Sequence, residues 1–272
     1  MSTQKQIPIR VVCISDTHGT EPPVPEGDIL IHAGDLTDIG SADQLRAAAT
    51  WISSLSHPIK LVIAGNHDLG LDAEYCETSQ CSAEDPIIDW QALGIIYLEH
   101  SATTITVRGR ELRVFGSPLT PELGRGAFQY PQARVHPERA REIWEDIPLE
   151  TDILITHTPP MYHLDKTVRG RVAGCPALLD RVRLVRPRLH VFGHIHDGRG
   201  RETVNWGFGE AIKQAWIDSD RKFSGMLTRL PKLTGSLRDD SGGNRSTVFV
   251  NAAIRISFYS GILLNEAEVV LI

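Results

Sequence analysis

Short apolar runs rich in Val and Ile punctuate the chain: VVCIS at 11–15, DILIHA at 28–33, KLVIAG at 60–65, DILIT at 152–156 and LHVFG at 189–193. Near-continuous hydrophobicity over so few residues predicts strands buried on both faces. Helical patterns lie between them. Ser41 to Gln44 reads as a capping box, and Leu45, Ala48, Ala49, Ile52 and Leu55 come after it at helical spacing. Pro137 opens a second helix with Ala140, Ile143, Trp144 and Ile147 on one face, and Pro176 opens a third that Pro187 must stop. A shorter helix is expected from about Pro86 to Gly94, leading into GIIYLEH. The stretch TTITVRGRELRVFGSPL alternates around Arg108-Gly109-Arg110, the pattern of an antiparallel hairpin. Strands alternating with helices, plus a hairpin, indicate an α/β protein with a mixed sheet or two packed sheets. A polar, Gly- and Ser-rich stretch at about 213–245 is expected to be a surface insertion before the strand STVFVNAAI.

Composition narrows the class. With 272 residues and 41% hydrophobic content the chain can bury a sizeable core, and 1–272 is expected to form one domain carrying the 213–245 insertion. The formal charge of −6, from 34 acidic and 28 basic residues, excludes a broad basic face that would coat nucleic acid. The N-terminal apolar residues are broken by Pro8 and Arg10, and no run approaches the roughly twenty residues of a membrane helix. A soluble, cytoplasmic protein with reduced thiols is the expectation. Cys76 and Cys81 are spaced like half of a zinc site, but the sequence holds no second pair.

The residues that can carry chemistry stand directly after the strand patterns. Asp16 and His18 come after the first, Asp35 after the second, and Asn66, His67 and Asp68 after the third. His157 ends DILITH, and His194 and His196 end LHVFGHIH. In open α/β sheets ligands bind beyond the carboxyl ends of the strands. One D-x-H after a strand reads as a turn with a surface histidine, and Asn-His-Asp alone reads as turn chemistry. Five segments delivering such groups to one edge point instead to a metal site. Carboxylate, amide oxygen and imidazole without thiolate suit Mn, Fe or Zn, with Mg admissible. About seven donors are too many for one tetrahedral ion, and two divalent or trivalent ions bridged by one carboxylate fit better. Two divalent ions, less two carboxylates and one hydroxide, leave a charge of about +1, which suits a phosphate ester anion.

The motifs Asp16-Thr17-His18, Gly34-Asp35, Gly65-Asn66-His67-Asp68, His157 and Gly193-His194-Ile195-His196, in that order, resemble those of the calcineurin-like metallophosphoesterases. The segments VCISDTH, GDLTDIG, IAGNHDL, GCPALLD and VRPRLHVFGHIHDGRG are similar to the branch called metallophosphoesterase domain-containing proteins. The resemblance implies a four-layer α/β/β/α sandwich of two mixed sheets flanked by helices. It implies one metal on Asp16, His18, Asp35 and His196, and a second on Asp35, Asn66, His157 and His194. It gives His67 the contact with phosphate or the leaving oxygen, with Asp68 orienting its ring. Protein Ser/Thr phosphatases of this family carry Arg where Ile39 comes after Asp38, so a protein phosphatase is not expected.

The resulting expectation is a phosphoester hydrolase in which a metal-activated hydroxide attacks phosphorus. Its substrate is a small-molecule or nucleotide phosphoester, diesters ahead of monoesters; the alternative is a metal-binding scaffold of the same fold with little catalysis. Neither a membrane nor a nucleic-acid partner is expected, and the oligomeric state is open. Tyr162, His163 and Arg169, on a loop after Thr158-Pro159-Pro160, are candidate substrate contacts, whereas His32, inside DILIHA, is expected to be a core residue.

Overall fold

The computed structural model describes residues 7–79, 88–132, 135–206, 246–256 and 263–272. In chain order the strands are β1 (Arg10–Ile14), β2 (Ile29–Ala33), β3 (Ile59–Ile63), β4 (Ile96–Tyr97), β5 (Ser101–Val107), β6 (Arg110–Ser117), β7 (Thr120–Pro121) and β8 (Gln129–Tyr130). They continue with β9 (Ile153–Thr156), β10 (Leu189–Phe192), β11 (Gly200–Asn205), β12 (Ser246–Asn251), β13 (Arg255–Ile256), β14 (Leu263–Leu264) and β15 (Glu268–Leu271). The helices are α1 (Ala42–Ser54), α2 (Ala73–Ser79), α3 (Pro137–Glu145) and α4 (Pro176–Val185).

One sheet has the order β15-β1-β2-β3-β4 and the other β11-β12-β10-β9-β6-β5. Strands β1 to β4 are parallel, as are β6, β9, β10 and β12, while β15, β11 and β5 add antiparallel edges. The period-two alternation of a strand then sorts the apolar runs into layers. Val11, Cys13, Ile29, Ile31, Leu61 and Ile63 face Val114, Ile153, Ile155, Leu189, Val191 and Val250 in a shared core. Their neighbours Val12, Ile14, Leu30 and Val62 point outward onto Ala48 and Ile52 of α1. Leu154, Phe192 and Phe249 point the other way, onto Trp144 of α3 and Leu178 and Val182 of α4. Burial on both faces explains why these strands read as unbroken apolar runs, and the result is the α/β/β/α sandwich.

The helix starts obey their caps. Ser41 accepts from Gln44 N at 3.4 Å, and the Gln44 amide oxygen reaches back to Ile39 N at 3.1 Å. Pro137 and Pro176 each open a helix, and α4 ends at Arg186, whose φ of 51° stops it before Pro187. The hairpin closes through Arg108 and Gly109, at φ 50° and 74°.

One expectation changes. In place of a helix ending at Gly94, residues after 88 make one hydrogen-bonded turn: Asp89 caps Ala92 N at 2.9 Å, and Ile95 N returns to Trp90 O at 2.9 Å. The Asp89 cap and Gly94 at φ 68° leave room for only that turn, and residues 80–87 lie outside the described set. The 213–245 segment and Cys81 likewise lie outside the described residues. No helix among the described residues is long and apolar enough to cross a membrane.

Candidate metal centre

Both sheets present the carboxyl ends of their parallel strands to one edge. There Ser15 pairs with Ala253 in a parallel bridge, and Ser15 N donates to Ala252 O at 2.9 Å, joining the end of β1 to the chain after β12. The first sheet delivers Asp16 and His18 after β1, Asp35 after β2 and Asn66 after β3. The second delivers His157 after β9, and His194 and His196 after β10.

The loops that make these deliveries are bent at unusual cost. Asp16, His18, Asp35 and His194 have φ of 52°, 47°, 53° and 68°, a region that side chains other than glycine seldom enter. Such strain amounts to roughly 1–3 kcal/mol per residue and clusters at functional sites. Glycines make the close approaches feasible. Gly34, at φ 96°, lies where a Cβ would meet Ala64 O and the His157 ring, and a Cβ on Gly193 would collide with Asp16 Oδ2 and Ser15 Oγ.

The side chains fall into two sets. Asp16, His18 and His196 offer ligand atoms within 4.8 Å of one another, and so do Asp35, His157 and His194. Asp35 Oδ2 stands 3.8 Å from His18 Nε2 and 3.3 Å from His157 Nε2, between the two sets. Asn66 Oδ1 lies 3.1 Å from His157 Nε2 and joins the second set.

The hydrogen bonds define which ring atoms face inward. His157 Nδ1 donates to Ala33 O at 2.9 Å and His18 Nδ1 to Thr37 O at 3.2 Å, so Nε2 of each ring points into the cluster. Inside the cluster Nε2 of His157 lies 3.1 Å from Asn66 Oδ1 and 3.3 Å from Asp35 Oδ2, and Nε2 of His18 lies 3.3 Å from His196 Nε2. Oxygens and ring nitrogens gathered this closely are bridged by protons or by cations, and carboxylate, amide oxygen and imidazole together form a donor set that fits metal ions.

Electrostatics point the same way. Burial disfavours charge on every group here, yet the neighbouring histidines hold the Asp16 and Asp35 carboxyls below the usual range. At His157 burial is outweighed by Asp35, and the ring is pushed up to about 9; at His196 it is outweighed by Asp16. Burial wins at His18, which is lowered, and at His194, which falls to about 4 with His157 nearby. Two buried carboxylates thus draw positive charge to this edge, as protons or as metal ions.

The remaining predicted residues divide. His67 is exposed at the rim, its N bound to Asp35 Oδ1 at 2.8 Å and its Nδ1 donating to Asp38 O at 2.7 Å. Asp68 does not orient the His67 ring. Its buried carboxylate accepts from Leu36 N, Thr37 N, Thr37 Oγ1 and Gly65 N at 2.8 to 3.1 Å, which ties the Asp35 loop to the Asn66 loop. Burial and the Asp35 carboxylate raise its pKa to about 7, with these donors pulling the other way.

Tyr162 is exposed at φ 72°, its N held by Asp165. His163 stacks on Phe249 at 4.4 Å between ring centres, with Nδ1 2.6 Å from Glu202, so one face and one nitrogen are already engaged. Arg169 is exposed on a hairpin tip that Val168 N ties to Asp197, next to His196, at 2.8 Å. His32 is fully buried, with Nε2 2.9 Å from Thr17 Oγ1, and His190 repeats this with Thr156 at 2.9 Å inside β10. Asn251 escapes motif reading: its amide donates to Leu164 O and Ile195 O, fixing the loops on either side of the second sheet's ligands.

Comparison with known proteins agrees with this geometry. The calcineurin-like phosphoesterase family model matches residues 9–198. A protein of Emericella nidulans named "Probable rhamnogalacturonate lyase C" is 43% identical over 249 residues, covering 90% of this chain and 23% of that protein. Metallophosphoesterase domain-containing protein 1 of Homo sapiens is 39% identical over 208 residues, covering 70% of this chain and 61% of its own length. A UPF0046 protein of Caenorhabditis elegans is 36% identical over 198 residues, covering 71% and 65%. The chain therefore spans less than two thirds of the length of these relatives. The matched span contains every converging side chain from Asp16 to His196, and the chain belongs to the calcineurin-like phosphoesterase family.

Proposed function

We propose that the protein is a binuclear metal-dependent hydrolase of small-molecule or nucleotide phosphoesters, with diesters favoured over monoesters. The observation that carries this reading is the pair of adjacent donor sets with Asp35 between them. Mixed carboxylate, amide and imidazole donors without thiolate favour Mn, Fe or Zn. One ion would rest on Asp16, His18, Asp35 and His196, and the other on Asp35, Asn66, His157 and His194. When bound, the ions supply Lewis acidity toward the phosphoryl oxygens and acidify a water for attack on phosphorus.

The chain's own groups perform the rest. Asp16 and Asp35 temper the site's positive charge so that a singly charged diester is matched. Thr37 O and Ala33 O hold the rings of His18 and His157 in the tautomer that presents Nε2 inward. His67 Nδ1 donates to Asp38 O, so in its doubly protonated form the ring turns Nε2–H toward the substrate, gives that proton to the departing oxygen and is left as the neutral imidazole. That step matters most for an alkoxide leaving group, which a diester of a nucleoside or sugar carries.

The test is metal analysis with hydrolysis of paired mono- and diesters by the wild type and Asp35→Asn. About two ions per chain, turnover of diesters and loss of both in Asp35→Asn support the reading. One ion or none, with no turnover, would mark a metal-binding scaffold instead. Hydrolysis that survives Asp35→Asn would sink the mechanism.

A further inference from the structure

Asp38 carries two bonds of different kinds. Its carbonyl oxygen accepts from His67 Nδ1, while its carboxylate lies 2.5 Å from Arg255 Nη1 and 3.5 Å from His18 Nδ1. Arg255 stands 217 residues away in sequence, and its backbone N donates to Asp16 O at 3.2 Å. One residue therefore touches the Asp16 loop through its main chain and the Asp38 turn through its side chain. Arg108 and Arg10 bond to the far end of the Asp16 loop, at Asp28 and Glu26, whereas Arg255 bonds beside Asp16 itself and at the Asp38 turn.

The other ties on this turn stop short of Asp38. Asp68 holds Leu36 N and Thr37 N, Thr37 Oγ1 accepts from Gly40 N, and Gln44 Oε1 accepts from Ile39 N. The carbonyl that sets the His67 ring belongs to the one residue between these anchors whose carboxylate depends on Arg255. The Asp38 side chain is 50% exposed and that of Arg255 28% exposed, so this ion pair adds little to global stability. Its value lies in placement: the Nη1–Oδ1 contact, with the Arg255 backbone held on Asp16 O, fixes where the Asp38 carboxylate sits.

Resting on the hydrolase reading above, we infer that Arg255 is a positioning residue for leaving-group protonation: it pins Asp38, whose carbonyl aims His67 at the departing oxygen. Loss of the pin frees the Asp38 carboxylate to turn toward His18 and lets the His67 ring rotate. Attack on phosphorus is left intact, whereas departure of a poor leaving group is slowed.

The experiment compares Arg255→Met, Arg255→Lys, His67→Ala and the double variant His67→Ala/Arg255→Met, all loaded with Mn. Each is assayed on a 4-nitrophenyl diester, whose leaving group needs no proton, and on the corresponding alkyl diester. General-acid catalysis contributes about 10²- to 10⁴-fold, so a misaimed His67 should cost about tenfold or more on the alkyl ester. Arg255→Met is expected to lose that factor in kcat on the alkyl ester while keeping nitrophenyl turnover within about threefold and metal content unchanged. Arg255→Lys should recover part of the loss, and adding Arg255→Met to His67→Ala should cost nothing more on the alkyl ester. Equal losses on both esters, loss of metal, or additive effects in the double variant would overturn the inference. A wild type without turnover would instead remove the hydrolase reading beneath it.

Discussion

Nε2 of His18 and Nε2 of His196 face each other at 3.3 Å, from segments 178 residues apart. With Thr37 O taking the Nδ1 proton of His18, its Nε2 lone pair faces His196 Nε2, and either a proton on His196 or a bound cation bridges the two rings. Metal loading should therefore raise the thermal midpoint. At a hundredfold excess over Kd one site adds about 2.7 kcal/mol, a shift of several degrees for a chain of this size. Calorimetry of chelated and Mn-loaded protein measures it. His196→Ala should reduce the rise, and an undiminished rise would place the ion elsewhere.

Asp68 and His67 are adjacent but should fail differently when replaced. Asp68→Asn sets an amide NH₂ against one of the carboxylate's donors in a fully buried place, at a cost of about 2–4 kcal/mol in a urea titration. His67→Ala, at an exposed rim position, should leave stability within about 0.5 kcal/mol while slowing hydrolysis of alkyl esters. Equal destabilisation by the two would contradict this division.

Gly193→Ala is expected to reduce bound metal more than it reduces stability. Its new Cβ collides with Asp16 Oδ2 and Ser15 Oγ, so Asp16 must move. Gly109→Ala serves as the control: its φ of 74° costs about 1–2 kcal/mol, but nothing lies within 4 Å and metal content should be full. Elemental analysis of both variants distinguishes site displacement from general strain.

His32 makes stability depend on pH. Burial lowers its pKa in the fold to about 4, against an ordinary value of 6.5, with Asp16 partly opposing. Between those values the unfolded chain binds a proton that the folded ring does not, so stability falls as pH falls through this window. The full effect is about 3 kcal/mol below pH 4. Urea midpoints of wild type and His32→Gln from pH 7.5 to 4.5 should diverge, with the wild type losing more on the acid side. Parallel curves would mean that His32 is protonated in the fold.

Much of the sandwich is legible in the amino-acid order because the forces that set it are local. VVCIS and DILIHA announce strands buried on both faces, and Ser41, Pro137 and Pro176 announce helix starts. Elements fixed by distant partners are not: β15 owes its place to pairing with Arg10–Cys13, for which the residues Glu268–Leu271 hold no local sign. The Gly94 turn failed as a helix because an Asp89 side chain closed it within one turn. At the site, strand-end position and residue type brought out the converging donors. Asp68, which the resemblance assigns to the His67 ring, turns its carboxylate into the core while His67 lies at the rim, because successive residues in this turn point apart. Asp38 acts through a backbone carbonyl and Arg255 from 217 residues away, so no spacing rule marks either.

Strands β11 and β12 pair from Gly200↔Asn251 at the ligand edge to Asn205↔Ser246 at the far end of the sheet. The chain between 206 and 245 thus departs and returns at adjacent points, roughly 17 Å of strand away from the metal-binding loops. The register that closes this joint is set by β11 and β12 themselves, so their pairing alone fixes Asn251, and with it the Leu164 and Ile195 carbonyls that its amide holds. A strand pair far from the motifs in sequence thus braces the loops that carry them.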